Sequence, residues 1–425
     1  MSTLSPNFKA VLAVLTLALF AAPAALAQEQ EKVLYSFYDS GGLVLPVAGV
    51  ISDASGNLYG TTFYGGANGV GMVFELSPGT SGWKETVLHS FNVDGTDGFW
   101  ITGGLVFDAA GNLYGTTEFG GSGLCISGIG GCGMVYKLTP NSNGSWTETI
   151  LHNFDGNDGF EAHSGLTIDA AGNLYGTTAN GGAYSQGTVY EVSPSAGGTW
   201  TEKTLHDFTG GADGGVPYGS VLLDAAGNLY GMTSAGGGNT PACRYGCGTV
   251  FELSPTLSGN WKWKGLHDFS KRDGDGKYPY NGLIFDASGN LYGVTSGGGG
   301  GPHNKGIVFE LSPTAGGKWT EKILHNFNIH NADGNGPSGT PVFDASGNLY
   351  GVTLGGGSNG KGSTFKLTPT TVGPWTETVL HSFSDQGSDG YHPNAGLIFD
   401  ASGNLYGTTG DGGQFNEGTV FEITP

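Results

Sequence analysis

Basic residues are scarce in this chain: Lys and Arg number 16 against 36 Asp and Glu, for a net charge of −20 over 425 residues. No basic stripe or cluster runs along it, so the electrostatic footprint for tracking phosphates is missing, which argues against a nucleic-acid partner. The G-X-Y period of collagen is absent although 82 residues are Gly, which removes the triple helix. Long apolar runs are missing beyond the N-terminus, so no later segment is expected to span a bilayer as a helix. Cysteines number four, in two local pairs, Cys125 with Cys132 and Cys243 with Cys247. Two short disulfides are expected, each worth roughly 2 kcal/mol by loop entropy. A shared zinc site is the alternative, but pairs two repeats apart are not spaced like a zinc ribbon. At the N-terminus Lys9, the apolar run Ala10 to Phe20 and the small-residue site Ala25-Leu26-Ala27 read as a secretory signal. Cleavage near Ala27 would leave residues 28–425 as a secreted or periplasmic chain.

What is present is repetition. The stretch Gly396-Leu-Ile-Phe-Asp-Ala-Ser-Gly-Asn-Leu-Tyr-Gly407 occurs seven times, with aspartates at 53, 108, 169, 224, 286, 344 and 400, spaced 55, 61, 55, 62, 58 and 56 residues apart. Such a period marks an array of supersecondary units. Within one copy, an apolar run leads into Asp-Ala-Ser-Gly-Asn and a return strand. There Asp can bond its own backbone and Gly supplies a positive φ, which is hairpin chemistry.

The unit that starts at Gly282 shows the full plan. Leu283-Ile284-Phe285 reads as a first strand buried on both faces, and Asn290 to Thr295 as a second. Ile307 to Ser312 is the third, and Trp319 to Phe327 the fourth. The fourth carries Glu321 and Lys322, charges that protect an exposed edge. An apolar inner strand and a charged outer one make a four-stranded antiparallel propeller blade. Glu31 to Phe37 matches a fourth strand that no blade precedes, and the last repeat, 396–425, stops after its third strand. Pairing the two predicts an all-β, seven-bladed propeller over 28–425, closed by strand 31–37 onto the final blade.

The blocks D-A-S-G-N-L-Y-G-T-T, G-T-V-F-E-L-S-P and W-T-E-x-x-L-H-x-F resemble the GloVer-type tandem repeat of secreted bacterial proteins, over about residues 31–425. The resemblance implies a secreted repeat protein and no established reaction. The D-x-x-G-N-L-Y hairpin is also similar to those of NHL-like and gluconolactonase-like propellers.

A ring needs its wedge contacts seven times and a reaction needs its nucleophile once, so repeated residues read as structural. The histidines at 89, 152, 206, 267, 325 and 381 share one fourth-strand position, with Tyr35 at the seventh. They sit on separate blades, too far apart to share an ion, and are expected to make structural hydrogen bonds. The tryptophans at 83, 146, 200, 261, 319 and 375 read as blade-packing aromatics. Asp94 with Asp97, and Asp273 with Asp275, have a calcium-like spacing, but no closing Glu or flanking helix follows. Turn chemistry is the competing reading. No cofactor is expected, with calcium left open.

In an antiparallel blade the loop between the second and third strands and the link to the next blade share one face. Both cysteine pairs fall in the two longest of those loops, with Tyr-to-Pro spans of 26 and 25 residues. Insertions held on a rigid ring are where binding concentrates. Candidates there are Trp100, Phe99, Tyr64, Phe119, Tyr280, Arg244 and Tyr245, suited to sugar stacking or protein contact. Packing beneath the loops is the alternative. The non-repeated histidines His163, His303, His330 and His392 are the general-base candidates, His303 and His392 foremost, but no nucleophile pairs with them. The preferred reading is a monomeric, non-catalytic propeller that binds an extracellular glycan or protein. An extracellular lyase or lactonase working at the same face, or a structural adhesion element, are the alternatives.

Overall fold

The structure is a computed structural model. It describes residues 30–425 except 41, 124, 126–129, 239–242, 270–273, 301–303 and 329–332. The expected signal segment, 1–27, lies outside the described residues.

Each repeat folds as one blade of a seven-bladed β-propeller. In the second blade, strands Val106–Phe107, Leu113–Thr117, Met134–Pro140 and Trp146–Asn153 are hydrogen-bonded in that order. No helix occurs among the described residues. The ring closes as the chain ends imply: Gln30–Ser36 runs antiparallel to Thr419–Thr424, with Val33 opposite Phe421 and Tyr35 opposite Val420.

Local chemistry builds each hairpin. Asp108 Oδ1 accepts the amides of Ala110 and Asn112, both at 2.9 Å, while Oδ2 accepts Asn112 Nδ2 at 2.6 Å and the Tyr114 hydroxyl at 3.0 Å. Gly111 supplies the left-handed turn position at φ 82°. The Asn-amide and Tyr-hydroxyl bonds recur at the other six aspartates. Asp, Asn and Tyr are thus kept together by one carboxylate.

One expectation fails. The first strand is not buried on both faces: it forms a two-residue ladder, and while Leu283 is buried, Ile284 and Phe285 are half-exposed. Residues just before the ladder, such as Gly282, line the central channel, and the innermost strand has a hydrogen-bonded neighbour on one edge only, the second strand. The fully buried strand is the second, Leu291–Thr295.

Blade stacking explains the rest of the repeat. A Cβ on Gly231 would sit 2.5 Å from the Phe251 ring, so Gly in Leu-Tyr-Gly leaves room for the third-strand aromatic. That aromatic in turn meets the fourth-strand Phe of the preceding blade, as in Phe91–Tyr136 and Phe208–Phe251, with ring centroids 5.0 to 5.4 Å apart at all seven interfaces. Second-strand Tyr packs near the Trp of the next blade, for example Tyr114 with Trp200 at 6.1 Å.

A polar buttress lies beside this wedge. His89 Nε2 stands 3.4 Å from Asp97 Oδ2 and 3.7 Å from Glu148 Oε1 of the next blade. Corresponding sets are His152, Asp158, Glu202; His267, Asp275, Glu321; His325, Asp333, Glu377; and His381, Asp389, Glu31. Two interfaces differ. Trp263 takes the Glu position against His206, with rings 6.4 Å apart, and Tyr35 donates to Glu85 at 3.0 Å where the ring closes. Burial pushes the carboxyls of Glu31, Glu148, Glu202 and Glu377 up to about 7. Burial opposes charge on His89 too, but Asp97 and Glu148 outweigh it and raise its pKa, whereas burial prevails at His206 and lowers it.

Candidate functional site

The links between blades carry the variation. Four residues before each first-strand ladder, the link turns toward the central channel. At one equivalent position each link is left-handed, at Leu45, Trp100, Glu161, Val216, Tyr278, Gly336 or His392, with φ 53° to 62°. Bulky residues rarely adopt this conformation, and surrounding bonds must impose it. Here they do. The Trp100 amide donates to Val70 O at 3.0 Å, and its carbonyl accepts Glu118 N at 3.0 Å. Two links are held by disulfide cysteines: Cys132 O accepts the Glu161 amide, and Cys247 O that of Tyr278. Both disulfides are formed, Cys125–Cys132 and Cys243–Cys247, with Cα atoms 5.1 and 5.4 Å apart.

Two residues beyond each left-handed position, Val47, Thr102, His163, Tyr218, Tyr280, Ser338 and Asn394 line a central cavity of about 740 Å³. Seven equivalent backbone sites therefore present seven side chains, of which only the two tyrosines repeat. No Lys or Arg is among the described residues that line it.

His163 is the most elaborated of the seven. Its Nδ1 is 2.7 Å from Glu118 Oε1 and its Nε2 3.8 Å from Glu161 Oε2. Thr102 Oγ1 lies 3.2 Å from Nδ1 and donates to the His163 carbonyl at 3.2 Å. The Tyr218 ring packs 4.9 Å from the imidazole, and Tyr280 meets Tyr218 at 5.3 Å. Asn180 Nδ2 donates to Glu161 Oε2 at 2.5 Å, which fixes that carboxylate. Burial disfavours the imidazolium, but hydrogen bonds to Glu118 and Glu161 prevail and raise its pKa to about 9. The hydrogen bond to His163 is also the main cause that lowers Glu161. At neutral pH the site thus holds a cationic donor between two acceptors. It is not a free base, and the carboxylates meet opposite ring nitrogens instead of converging on one point.

Beside this cluster runs a row of aromatics. Phe63 stacks on Trp100 at 5.5 Å, Tyr64 meets Trp100 at 6.4 Å, and Trp100 meets Phe119 at 5.2 Å. Phe119 continues to Phe160 at 5.5 Å. Glu118 and Glu161, the carboxylates that flank His163, are the chain neighbours of Phe119 and Phe160.

Of the residues singled out from sequence, Tyr64, Trp100, Phe99 and Phe119 come together, and Tyr280 lines the channel. Phe99 and Phe119 are buried and meet Trp100 edge-on, with centroids 5.4 and 5.2 Å away. Arg244 and Tyr245 form their own cation–π pair at 5.6 Å in the fourth blade's loop. His392 occupies a left-handed rim position with Nδ1 2.9 Å from Asp411 Oδ2. His303, His330 and Asp273 fall outside the described residues. Asp94 Oδ1 is engaged by Thr96 and the Asp97 amide, while Asp97 and Asp275 face the interface histidines. Sequence reading missed Glu118, Glu161, Tyr218 and Thr102. Counting from the Asp-Gly of each link would have exposed the divergent channel position.

No curated protein matches the chain in sequence. Its fold is similar to the extracellular domain of a hybrid two component system from B. thetaiotaomicron, at TM-score 0.56 and 12% identity, over 92% of this chain and 39% of that one. The chain thus spans well under half the length of that relative. A luciferin-regenerating enzyme aligns at TM-score 0.44 and 14% identity, over 76% of this chain and 91% of that one. A glucose dehydrogenase-type oxidoreductase from Thermus thermophilus aligns at TM-score 0.41 and 14% identity, over 93% of this chain and 100% of that one. These two alignments inform neither fold nor function. The model of the Gloeobacter/Verrucomicrobia repeat matches residues 124–330 and 299–425, well over half of the sequence, and the chain therefore belongs to that repeat family.

Proposed function

We propose that this propeller binds an extracellular carbohydrate at the mouth of its central channel and performs no chemistry on it. The observation that carries the reading is the ring of equivalent link positions at which the repeat diverges, with His163, Tyr218 and Tyr280 adjacent along one wall. Aromatic faces stack on sugar rings, and hydroxyl, amide and imidazolium groups match sugar hydroxyls. Disulfides suit an oxidising compartment, so the ligand is sought outside the cytoplasm. A lyase would need cationic groups to offset a uronate and its developing charge. The described cavity wall offers only His163, already flanked by two carboxylates.

Calorimetric titration with neutral oligosaccharides tests the proposal, together with product analysis of the recovered sugar. Binding that weakens roughly tenfold in Tyr280→Ala, with the sugar recovered intact, is the expected outcome. Cleaved or eliminated products would replace this reading with the enzymatic one.

A further inference from the structure

Building on the channel-mouth reading, we propose that the ligand is an uncharged, extended glycan whose outer end rests on the exposed Tyr38–Phe415 pair at the closing seam of the ring. Tyr64 ends the ring-to-ring contacts. Tyr64 also walls a second cavity of about 430 Å³ with Asp39, Leu43 and Asn68. Next to Asp39, Tyr38 is 61% exposed and packs against Phe415, itself 43% exposed, with centroids 4.8 Å apart. The Asp39 amide donates to Glu417 Oε2 at 2.6 Å, which ties the segment carrying Tyr38 to the loop carrying Phe415. The pair is thus a fixed platform rather than a loose tip.

Two large rings left in water at a rigid seam mark a contact surface. Phe63, Tyr64 and Trp100 pack on one another with centroids 4.7 to 6.4 Å apart and make one aromatic cluster, separated from the Tyr38–Phe415 pair by the cavity that Tyr64 and Asp39 wall. A chain long enough to cross that cavity gains a second stacking contact, on Tyr38 and Phe415, without a deep pocket. Charge selects the kind of chain. Neither cavity has a Lys or Arg among its described lining residues, Glu118 and Glu161 flank His163 on the channel wall, and the whole chain carries −20. An acidic polysaccharide would be repelled by the chain's net negative charge and would meet no cation beyond His163, whose charge Glu118 and Glu161 already offset.

The experiment titrates the full chain with a neutral disaccharide and hexasaccharide of one linkage series, and with a hexagalacturonate. Affinity is expected to rise about tenfold or more from disaccharide to hexasaccharide, as the second stacking contact contributes. Tyr38→Ala should erase most of that gain while it leaves disaccharide binding unchanged, and the hexagalacturonate should bind at least tenfold more weakly than the neutral hexamer. Tyr38 is solvent-exposed, and an unchanged melting curve confirms that the variant is folded. If disaccharide and hexasaccharide bind alike, or Tyr38→Ala leaves the hexasaccharide unaffected, the outer platform is refuted while the channel-mouth site stands. Equal binding of the galacturonate refutes the charge selection. Absence of binding to every sugar refutes the carbohydrate reading itself, and this inference with it.

Discussion

Tyr136 and Tyr190 occupy a third-strand position that is Phe in the other five blades. Both are fully buried, and neither hydroxyl has a hydrogen-bond partner among the described residues. An unsatisfied buried hydroxyl costs on the order of 1–3 kcal/mol. Tyr190→Phe should therefore raise the denaturant midpoint by about 1 kcal/mol equivalent, and a lower midpoint would contradict it. His163 is the second test at this scale. Its imidazole signals should titrate near pH 9, and Glu118→Gln, which removes the nearer carboxylate, should move the midpoint down by about one unit or more. A titration near 6.5 in the parent protein would show that the clamp does not form.

Within a blade, glycines of two kinds carry different loads. Gly231 makes way for the Phe251 ring, whereas Gly172 turns a hairpin at φ 85° with no atom within 4 Å of an added Cβ. Gly231→Ala overpacks a closed wedge and should destabilise by roughly 1–3 kcal/mol or more. Gly172→Ala meets only backbone strain, about 1 kcal/mol. Chemical denaturation of the two variants checks the order. The disulfides belong to this scale as well. Because Cys132 O holds the Glu161 amide, the double variant Cys125→Ser/Cys132→Ser should lose about 2 kcal/mol and also weaken binding at the channel. A stability loss with unaltered binding would confine the bridge to a structural role.

For the ring as a whole, pH is the informative variable. Glu31, Glu148, Glu202 and Glu377 have folded pKa values near 7, raised chiefly by burial from 4.5. Each contributes stability that is fully present below pH 4.5 and is lost as pH rises through 7. His163, raised from 6.5 to about 9, acts in the same direction at higher pH. Asp53, Asp108, Asp224, Asp286, Asp344 and Asp400 oppose this in acid: burial tends to raise them, but bonds to the Asn, Tyr and backbone groups lower them from 3.8. Their contribution is present above 3.8 and lost on further acidification. Calorimetry should find a higher unfolding temperature near pH 5 than near pH 9, and the reverse order would show that the interface carboxyls are not buried as described. Closure is testable too. Deleting residues 1–37 removes the strand opposite Thr419–Thr424 and leaves Phe74 without its Phe37 wedge, so unfolding should become less cooperative as well as easier.

The blade and its count were determined by the sequence alone, because both rest on local physics. An Asp that bonds its own turn, a Gly at positive φ and apolar runs at fixed offsets need no knowledge of distant contacts. The same holds for closure, which follows from a fourth strand at one end and a missing one at the other. Only the tertiary structure decided the site. Glu118, Glu161, Thr102 and Tyr218 belong to different links and loops, and none carries a motif. Their meaning lies in convergence around His163, where two carboxylates outweigh the burial that opposes charge and hold the imidazole as a cation. The inner strand makes the same point in reverse: Leu-Ile-Phe reads as fully buried, but whether water or protein lies beside it is set by the hollow centre, which no local pattern encodes.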